Sequence, residues 1–278
     1  MYVVFDIGGT KMRVAASDDG TTLGAVQKFD TPHTYEEGIE LLAETVRAAA
    51  GVSVERIVGG IRGRLTSDRS GVAHDDLRPN SGWQDKPLVA DLERLLGVPV
   101  LLENDAALAA LGEAQNGAGR GYGVVAYHTV STGVGGARID HGRIDANASG
   151  FEPGHQIIDI NADGEGIMLE DLISGTAIEC TYGKKPYEIP QDNPLWDELA
   201  HTLALALRNT VAYWSPHVIV LGGSMVLGEP RIPLAAVQEH AGAVFGDATL
   251  CPPIVLATLG DSSGLHGALS LLRSGGIG

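Results

Sequence analysis

Five short segments carry residue types that can do chemistry together. The first is Asp6-Ile7-Gly8-Gly9-Thr10-Lys11. Glycines between two strands let backbone N–H groups approach phosphate oxygens with no Cβ in the way. Asp6 at the strand end suits a magnesium ion held through water, because magnesium gives up its hydration shell reluctantly. An ordinary hairpin explains one glycine. It explains less well an acid on a buried strand end with Thr10 and Lys11 close behind. The second segment, Ser131-Thr132-Gly133-Val134-Gly135-Gly136, is another Gly/Thr turn between strands. Two such turns in equivalent places of two half-folds suggest a phosphate chain gripped from both sides.

The third segment, Glu103-Asn104-Asp105, lies between a strand and a helix. There the helix dipole favours an ionised Asp105, and an ionised carboxylate can take the proton of an alcohol as its oxygen attacks phosphorus. Phosphoryl transfer has a loose transition state, so a weak base that orients the hydroxyl suffices. The rival reading, an acid that merely stabilises a helix start, is the stronger one on this motif alone. The fourth segment is Glu152-Pro153-Gly154-His155, with Glu170 further on. Glu and His hydrogen-bond sugar hydroxyls well, and they equally suit a surface loop. The fifth, Leu221-Gly222-Gly223-Ser224-Met225, puts a double glycine after a buried strand. It suits a nucleotide base or ribose, or a plain strand-to-helix turn.

Several other chemistries are excluded at the motif level. Gly133-x-Gly135 lacks the third glycine of a dinucleotide fingerprint, since position 138 is Arg138. No G-x-x-x-x-G-K-[ST] loop is present, and Val226 rules out a hydrolase elbow after Ser224. Cys180 and Cys251 are the two cysteines and form no C-x-x-C pair, so neither a zinc knuckle nor a disulfide scaffold is supported.

The elements that must hold these segments alternate between strand and helix. Strands are predicted at residues 2–5, 12–17, 23–29, 57–61, 98–102, 123–129, 137–140, 218–221 and 254–257. Helices are predicted at 34–50, around Leu88, Leu92, Leu95 and Leu96 with Gly97 as C-cap, and from Asp105 with Asn104 as N-cap. The longest helix starts after Asn193-Pro194, repeats Leu195, Leu199, Leu203, Leu207 and Val211, and stops before Pro216. The last spans residues 262–272. This pattern points to an α/β fold with partly parallel sheets. A strand, a Gly/Thr turn and a second strand occur near residue 6 and again near residue 131, which reads as a duplication. The Gly-rich stretch 117–123 is the expected domain boundary.

The bulk composition sets the frame. The 278 residues are 44% hydrophobic and only 19% charged, enough for one large core or two smaller ones. Nineteen basic against thirty-five acidic residues give a net charge of −16, which disfavours a nucleic-acid partner. No apolar run approaches the roughly 20 residues of a membrane span, and the first residues do not read as a signal peptide. A cytoplasmic location without a membrane partner is the expectation.

Taken together and in order, D-I-G-G-T-K, E-N-D-A, S-T-G-V-G-G, E-P-G-H, S-G-T-A and L-G-G-S resemble the ROK family (repressors, uncharacterised reading frames and sugar kinases) over nearly the whole chain. The resemblance implies a duplicated actin-like, ribonuclease H-like ATPase fold of two domains about a central cleft. Residues 1–117 with 262–278 would form the sugar and phosphate side, and residues 118–261 the nucleotide side. It implies ATP- and magnesium-dependent phosphorylation of a hexose hydroxyl, glucokinase-like. An N-acetylhexosamine or fructose kinase, or a non-catalytic sugar-binding or regulatory member, is the alternative. Asp105 matches the catalytic aspartate. Asn80, Asn104, Glu152, His155 and Glu170 match sugar-holding positions. Asp6, Gly8, Gly9, Thr10 and Lys11, with Ser131, Thr132, Gly133 and Gly135, match the two phosphate turns, and Gly222 and Gly223 the adenosine segment. A homodimer is implied as well. Two departures stand out. The stretch 159–170 lacks the cysteines of the usual zinc loop, so structural zinc is not expected and His155 would be placed by packing. Gly60-Ile61-Arg62-Gly63-Arg64 replaces the usual Pro-Gly, and Arg62 and Arg64 are expected to face solvent.

Overall fold

An apolar opening run gives the first strand of a computed structural model that describes residues 1–50, 53–74 and 82–274. The first elements are β1 (Tyr2–Ile7), β2 (Lys11–Ser17), β3 (Gln27–Asp30), α1 (Tyr35–Ala50), β4 (Arg56–Ile61), β5 (Arg64–Leu65), β6 (Val72–His74), α2 (Leu88–Leu96), β7 (Val100–Asn104) and α3 (Asp105–Asn116). Then come β8 (Val124–Val130), β9 (Val134–Asp140), β10 (Arg143–Ile144), β11 (Ile157–Ile160), β12 (Gly166–Met168), α4 (Glu170–Ile173), α5 (Gly175–Tyr182) and α6 (Leu195–Trp214). The chain closes with β13 (Val218–Gly222), α7 (Ser224–Leu227), α8 (Leu234–Phe245), β14 (Ile254–Leu256) and α9 (Ser263–Arg273).

These elements divide into two compact units. Unit 1 holds Met1–Gln115, Ala146–Gly150 and Asp261–Gly278; unit 2 holds Asn116–Asp145 and Phe151–Gly260. Among the described residues each unit is built on a five-stranded sheet, ordered β3-β2-β1-β4-β7 in unit 1 and β10-β9-β8-β13-β14 in unit 2. In each, the first three strands are an antiparallel meander and the last two run parallel to its opening strand. The sheets therefore repeat one topology, as the recurring strand-turn-strand pattern predicts.

Two predicted strands are displaced. The strand expected at 23–29 is confined to Gln27–Asp30. Asp19 accepts the N–H groups of Thr21 and Thr22, and Gly20 has φ 70, so the chain turns there. The strand expected at 137–140 begins at Val134, so Gly135 and Gly136 belong to β9 rather than to a turn.

In unit 1, Val3, Phe5 and Ile7 meet Ile39, Leu42 and Val46 of α1 and Leu88 and Leu92 of α2 in one apolar core. Helix α9 packs on β1 and β4 and crosses α3 at backbone distance. A Cβ on Gly267 would lie 1.8 Å from the Leu108 carbonyl oxygen, so only glycine fits that crossing. The β5–β6 hairpin is tied to β7 by an ion pair of Arg69 with Glu103, whose side chain is 4% exposed. In unit 2 the apolar stripe of α6 packs with Ile219 and Leu221 of β13 and with Val237 and Ala241 of α8. Among the described residues no helix is long and apolar enough to cross a membrane.

His128 on β8 is fully buried, stacked on Trp214 at 5.5 Å between ring centroids, with Nε2 3.0 Å from Thr210 Oγ1. Its Nδ1 has no hydrogen-bond partner in the described structure, and burial pulls its pKa down to about 4. The unfolded chain, with an ordinary histidine near 6.5, takes up a proton first as pH falls. Stability is therefore full above about pH 6.5 and drains away down to about pH 4, by about 3 kcal/mol. Urea unfolding at pH 7 and pH 4 should show that extra loss in the native chain relative to His128→Gln; equal losses would contradict it. The same measurement at pH 7 tests the Arg69–Glu103 pair. Arg69→Met leaves a buried carboxylate without its partner and should cost about 2 to 3 kcal/mol. A change under about half a kcal/mol would show the pair to be idle.

Candidate functional site

The parallel strands β1, β4 and β7 of unit 1 end level with one another. Register pairs Asp6 with Gly60 and Ile7 with Ile61, and on the other side Gly60 with Glu103 and Ile61 with Asn104. Side chains leaving these strand ends therefore share one edge of the sheet. Gly60 keeps them close: a Cβ there would lie 3.5 Å from Asp6 Oδ1 and 3.4 Å from Asp105 Cα.

Asp6 sits opposite Arg13 in the antiparallel register of β1 and β2. Its Oδ2 accepts from Arg13 Nη1 at 3.3 Å, while Arg13 Nη2 donates to Asp261 at 2.9 Å. Lys28, across the strand pair from Arg13, donates to the same Asp261 oxygen at 2.7 Å. Like charges directly opposite one another destabilise a strand pair, and Asp261 bridges both. Burial, and then the charge of Asp105, push the pKa of Asp6 up to about 7, against the pull of Arg13.

The Gly8-Gly9-Thr10 turn is closed by Gly8 N–H donating to the Lys11 carbonyl at 3.0 Å. Thr31 clamps it, with Oγ1 donating to the Gly8 carbonyl at 2.7 Å and N–H to that of Thr10 at 3.0 Å. Lys11 is paired with Asp30 on β3.

Asp105 opens α3. Asn104 caps the helix as predicted, its Oδ1 accepting from Ala107 N–H at 3.0 Å, while its Nδ2 donates to the Gly63 carbonyl at 3.1 Å. Asp105 Oδ1 accepts from Ala106 N–H at 2.8 Å. The expectation that the helix start lowers the Asp105 pKa needs correction. Burial raises it, and the Arg62 charge and the backbone N–H groups offset only part. Arg62 and Arg64 are both half-buried rather than solvent-facing, and Arg64 Nε has no hydrogen-bond partner in the described structure. Asn80 lies outside the described residues.

Unit 2 gathers its own set. The Ser131-Thr132-Gly133 turn is closed by Ser131 N–H to the Gly133 carbonyl at 2.8 Å. The start of α5 holds it, through Gly175 N–H to the Ser131 carbonyl at 2.7 Å and Thr176 Oγ1 to the Thr132 carbonyl at 2.8 Å. Ser131 Oγ lies 3.0 Å from Ser224 Oγ, next to Gly222 and Gly223. Gly223 has φ 88, and a Cβ on it would lie 2.2 Å from the Val130 carbonyl oxygen. Close backbone approach thus requires Gly223, and a Cβ on Gly222 would meet the Tyr127 hydroxyl at 2.3 Å.

The turn Pro153–His155 presses on β9. A Cβ on Gly154 would lie 2.3 Å from the Val134 carbonyl oxygen, and one on Gly136 would meet the Pro153 ring at 2.8 Å. Gly136 therefore serves packing. Glu152 is half-buried and His155 exposed. Glu170 Oε2 accepts from Val134 N–H at 2.5 Å, so this carboxylate already anchors the start of β9. The stretch without cysteines forms the β11–β12 hairpin, its turn held by Asn161 Oδ1, which accepts from the N–H groups of Asp163 and Glu165. Among the described residues no group of three or more His, Cys, Asp or Glu is placed to hold a metal.

Sequence reasoning missed Arg13, Thr31 and Asp261. The Asp6–Arg13 pair follows from a two-residue Gly9-Thr10 turn, which puts Gly8 opposite Lys11 and therefore Asp6 opposite Arg13. Thr31 and Asp261 gave no signal, because both come from distant segments.

Comparison with known proteins agrees with this architecture. The ROK family profile matches residues 2–274. A ROK hexokinase from Thermus thermophilus superposes with a TM-score of 0.82 at 31% identity, covering 99% of each chain. A ROK glucokinase from Streptomyces griseus, solved with glucose and AMPPNP, gives 0.79 at 25% identity over 98% of this chain and 99% of its own. The N-acetyl-D-glucosamine kinase of Vibrio cholerae serotype O1 is 30% identical over 98% of this chain and 99% of its own. The repeated sheets are those of the actin-like ATPase fold. With the family profile matched almost end to end, this chain belongs to the ROK family.

Proposed function

We propose that the protein transfers the γ-phosphoryl group of ATP to a hydroxyl of a hexose, with Asp105 as the base. The observation that carries this reading is the placing of Asp6 at the end of β1 and Asp105 at the start of α3, both beside Gly60 of the intervening β4 and next to the Gly8-Gly9-Thr10 turn. One carboxylate belongs with the sugar hydroxyl, the other with the metal that accompanies ATP.

The residues present fit a magnesium ion. Asp6 is a hard oxygen donor, and its Oδ1 is left over once Arg13 has taken Oδ2. Bound with ATP, magnesium neutralises charge on the phosphate oxygens. The remaining work falls to the chain. The Gly8-Gly9-Thr10 turn, with Lys11 behind it, takes the phosphate chain, and the Gly8 N–H bond to the Lys11 carbonyl sets the shape of that turn. In unit 2, the Ser131-Thr132-Gly133 turn, with Gly135 following on β9, takes the same part on the other side of the phosphate chain, and Gly222 and Gly223 are assigned to adenosine through the family motif. Asn104 and Asp105 hold the acceptor hydroxyl. Asn80, Glu152, His155 and Glu170 complete the sugar set, Glu170 with the carboxylate oxygen that Val134 leaves over. Asp105 takes the hydroxyl proton as the oxygen attacks phosphorus. Homodimer assembly belongs to this reading through the family alone, and a cytoplasmic location fits a consumer of ATP.

A coupled ADP-release assay over glucose, mannose, fructose and N-acetylhexosamines tests the reading. At least one sugar should be turned over. Asp105→Asn keeps the bond to Ala106 N–H but cannot take a proton, so kcat should fall by about 10² to 10⁴ with the sugar KM changed by only about threefold. A variant with near-normal turnover would remove Asp105 from its role.

A further inference from the structure

The turn after β4 is pinned on both sides. Arg62 N–H donates to the Ile7 carbonyl at 3.0 Å, one residue before the Gly8-Gly9 turn. The next residue, Gly63, accepts Asn104 Nδ2 at 3.1 Å through its carbonyl and has φ 109, a conformation that glycine adopts without strain. Arg62 thus leaves the sheet level with Gly8 on one side and Asp105 on the other.

Four other cations near this edge are already committed, while Arg64 lies beyond Gly63 on β5 and makes no ion pair among the described residues. Arg13 is held by Asp6 and Asp261, Lys28 by Asp261, Lys11 by Asp30 and Arg69 by Glu103. Arg62 is half-buried and its side chain makes no ion pair within 4 Å among the described residues. Asp105 is the carboxylate that feels its charge. A phosphoryl group in flight spreads negative charge over its equatorial oxygens. At this edge it would travel past two carboxylates, which oppose it, and a guanidinium with two donors side by side meets that need.

We propose that Arg62 is a second catalytic residue, whose guanidinium contacts the equatorial oxygens of the phosphoryl group as it moves to the sugar. The inference rests on the phosphoryl-transfer reading above. In that step the sugar oxygen bonds to the γ-phosphorus and the bond from that phosphorus to the β–γ bridging oxygen breaks. The electron pair leaves with ADP, and the hydroxyl proton goes to Asp105. Arg62 takes no part in the proton transfer and supplies only charge and N–H donors.

The test compares the native chain with Arg62→Met and Arg62→Lys, using the best hexose of the panel. Arg62→Met should lower kcat by about 10² to 10³ while both KM values stay within about threefold, and Arg62→Lys should recover part of the loss. Calorimetry with ADP, magnesium, sugar and aluminium fluoride, a planar mimic of the moving group, gives a readout apart from turnover. Aluminium fluoride should tighten ADP binding to the native chain and not to Arg62→Met, which still binds ADP and sugar. Unimpaired kcat in Arg62→Met, an effect confined to the sugar KM, or equal tightening by aluminium fluoride would overturn the inference alone. A native chain that phosphorylates no hexose would overturn it together with the reading beneath it.

Discussion

Asp6, near the end of β1, and Asp105, the first residue of α3 after β7, both lie against Gly60, whose lack of a side chain lets them come close. The arrangement is electrostatically unfavourable, since burial opposes ionisation of both carboxylates and the charge of Asp105 adds to it at Asp6. It persists because strand pairing decides it. The parallel register of β1, β4 and β7 fixes where each carboxylate emerges, and the large core under α1 and α2 holds that register. The cost of the carboxylate pair is carried by the rest of the unit, which is how strained and charged sites commonly survive.

Around this pair the unit distributes its cations in layers. Arg13 steadies Asp6 from the meander side, and Asp261 steadies Arg13 in turn while also pairing with Lys28. A buried ion pair is weak grounds for stability, because the desolvation of two charges offsets most of their attraction. Arg13 Nε even lacks a hydrogen-bond partner in the described structure. An apolar residue would pack at this position at less cost, so the guanidinium is better understood through the carboxylate it positions. Helix α9 contributes Asp261 just before its first turn and brings Gly264 against Asp6, which links the last helix to the first strand.

Much of this was legible in the sequence. The duplicated strand-turn-strand pattern, the Asn104 cap and the Gly97 C-cap follow from local rules, and the structure bears them out. Local rules failed where a distant partner decides. Gly136 looks like part of a phosphate turn and in fact admits the Pro153 ring. Arg62 and Arg64 look like surface residues of a loop, yet the bonds to Ile7 and Asn104 draw that loop against the sheet. The shift on Asp105 was misjudged for the same reason: a helix start is visible in sequence, and burial by neighbouring strands is not.

The confrontation of Asp6 with Asp105 can be measured directly by carboxyl-carbon NMR titration of ligand-free protein labelled at aspartate. The Asp6 resonance should titrate near a pKa of about 7 and move toward the ordinary carboxylate range when Asp105 is replaced by Asn. An Asp6 that titrates near the usual value of about 4 in the native chain, unmoved by the replacement, would contradict the account.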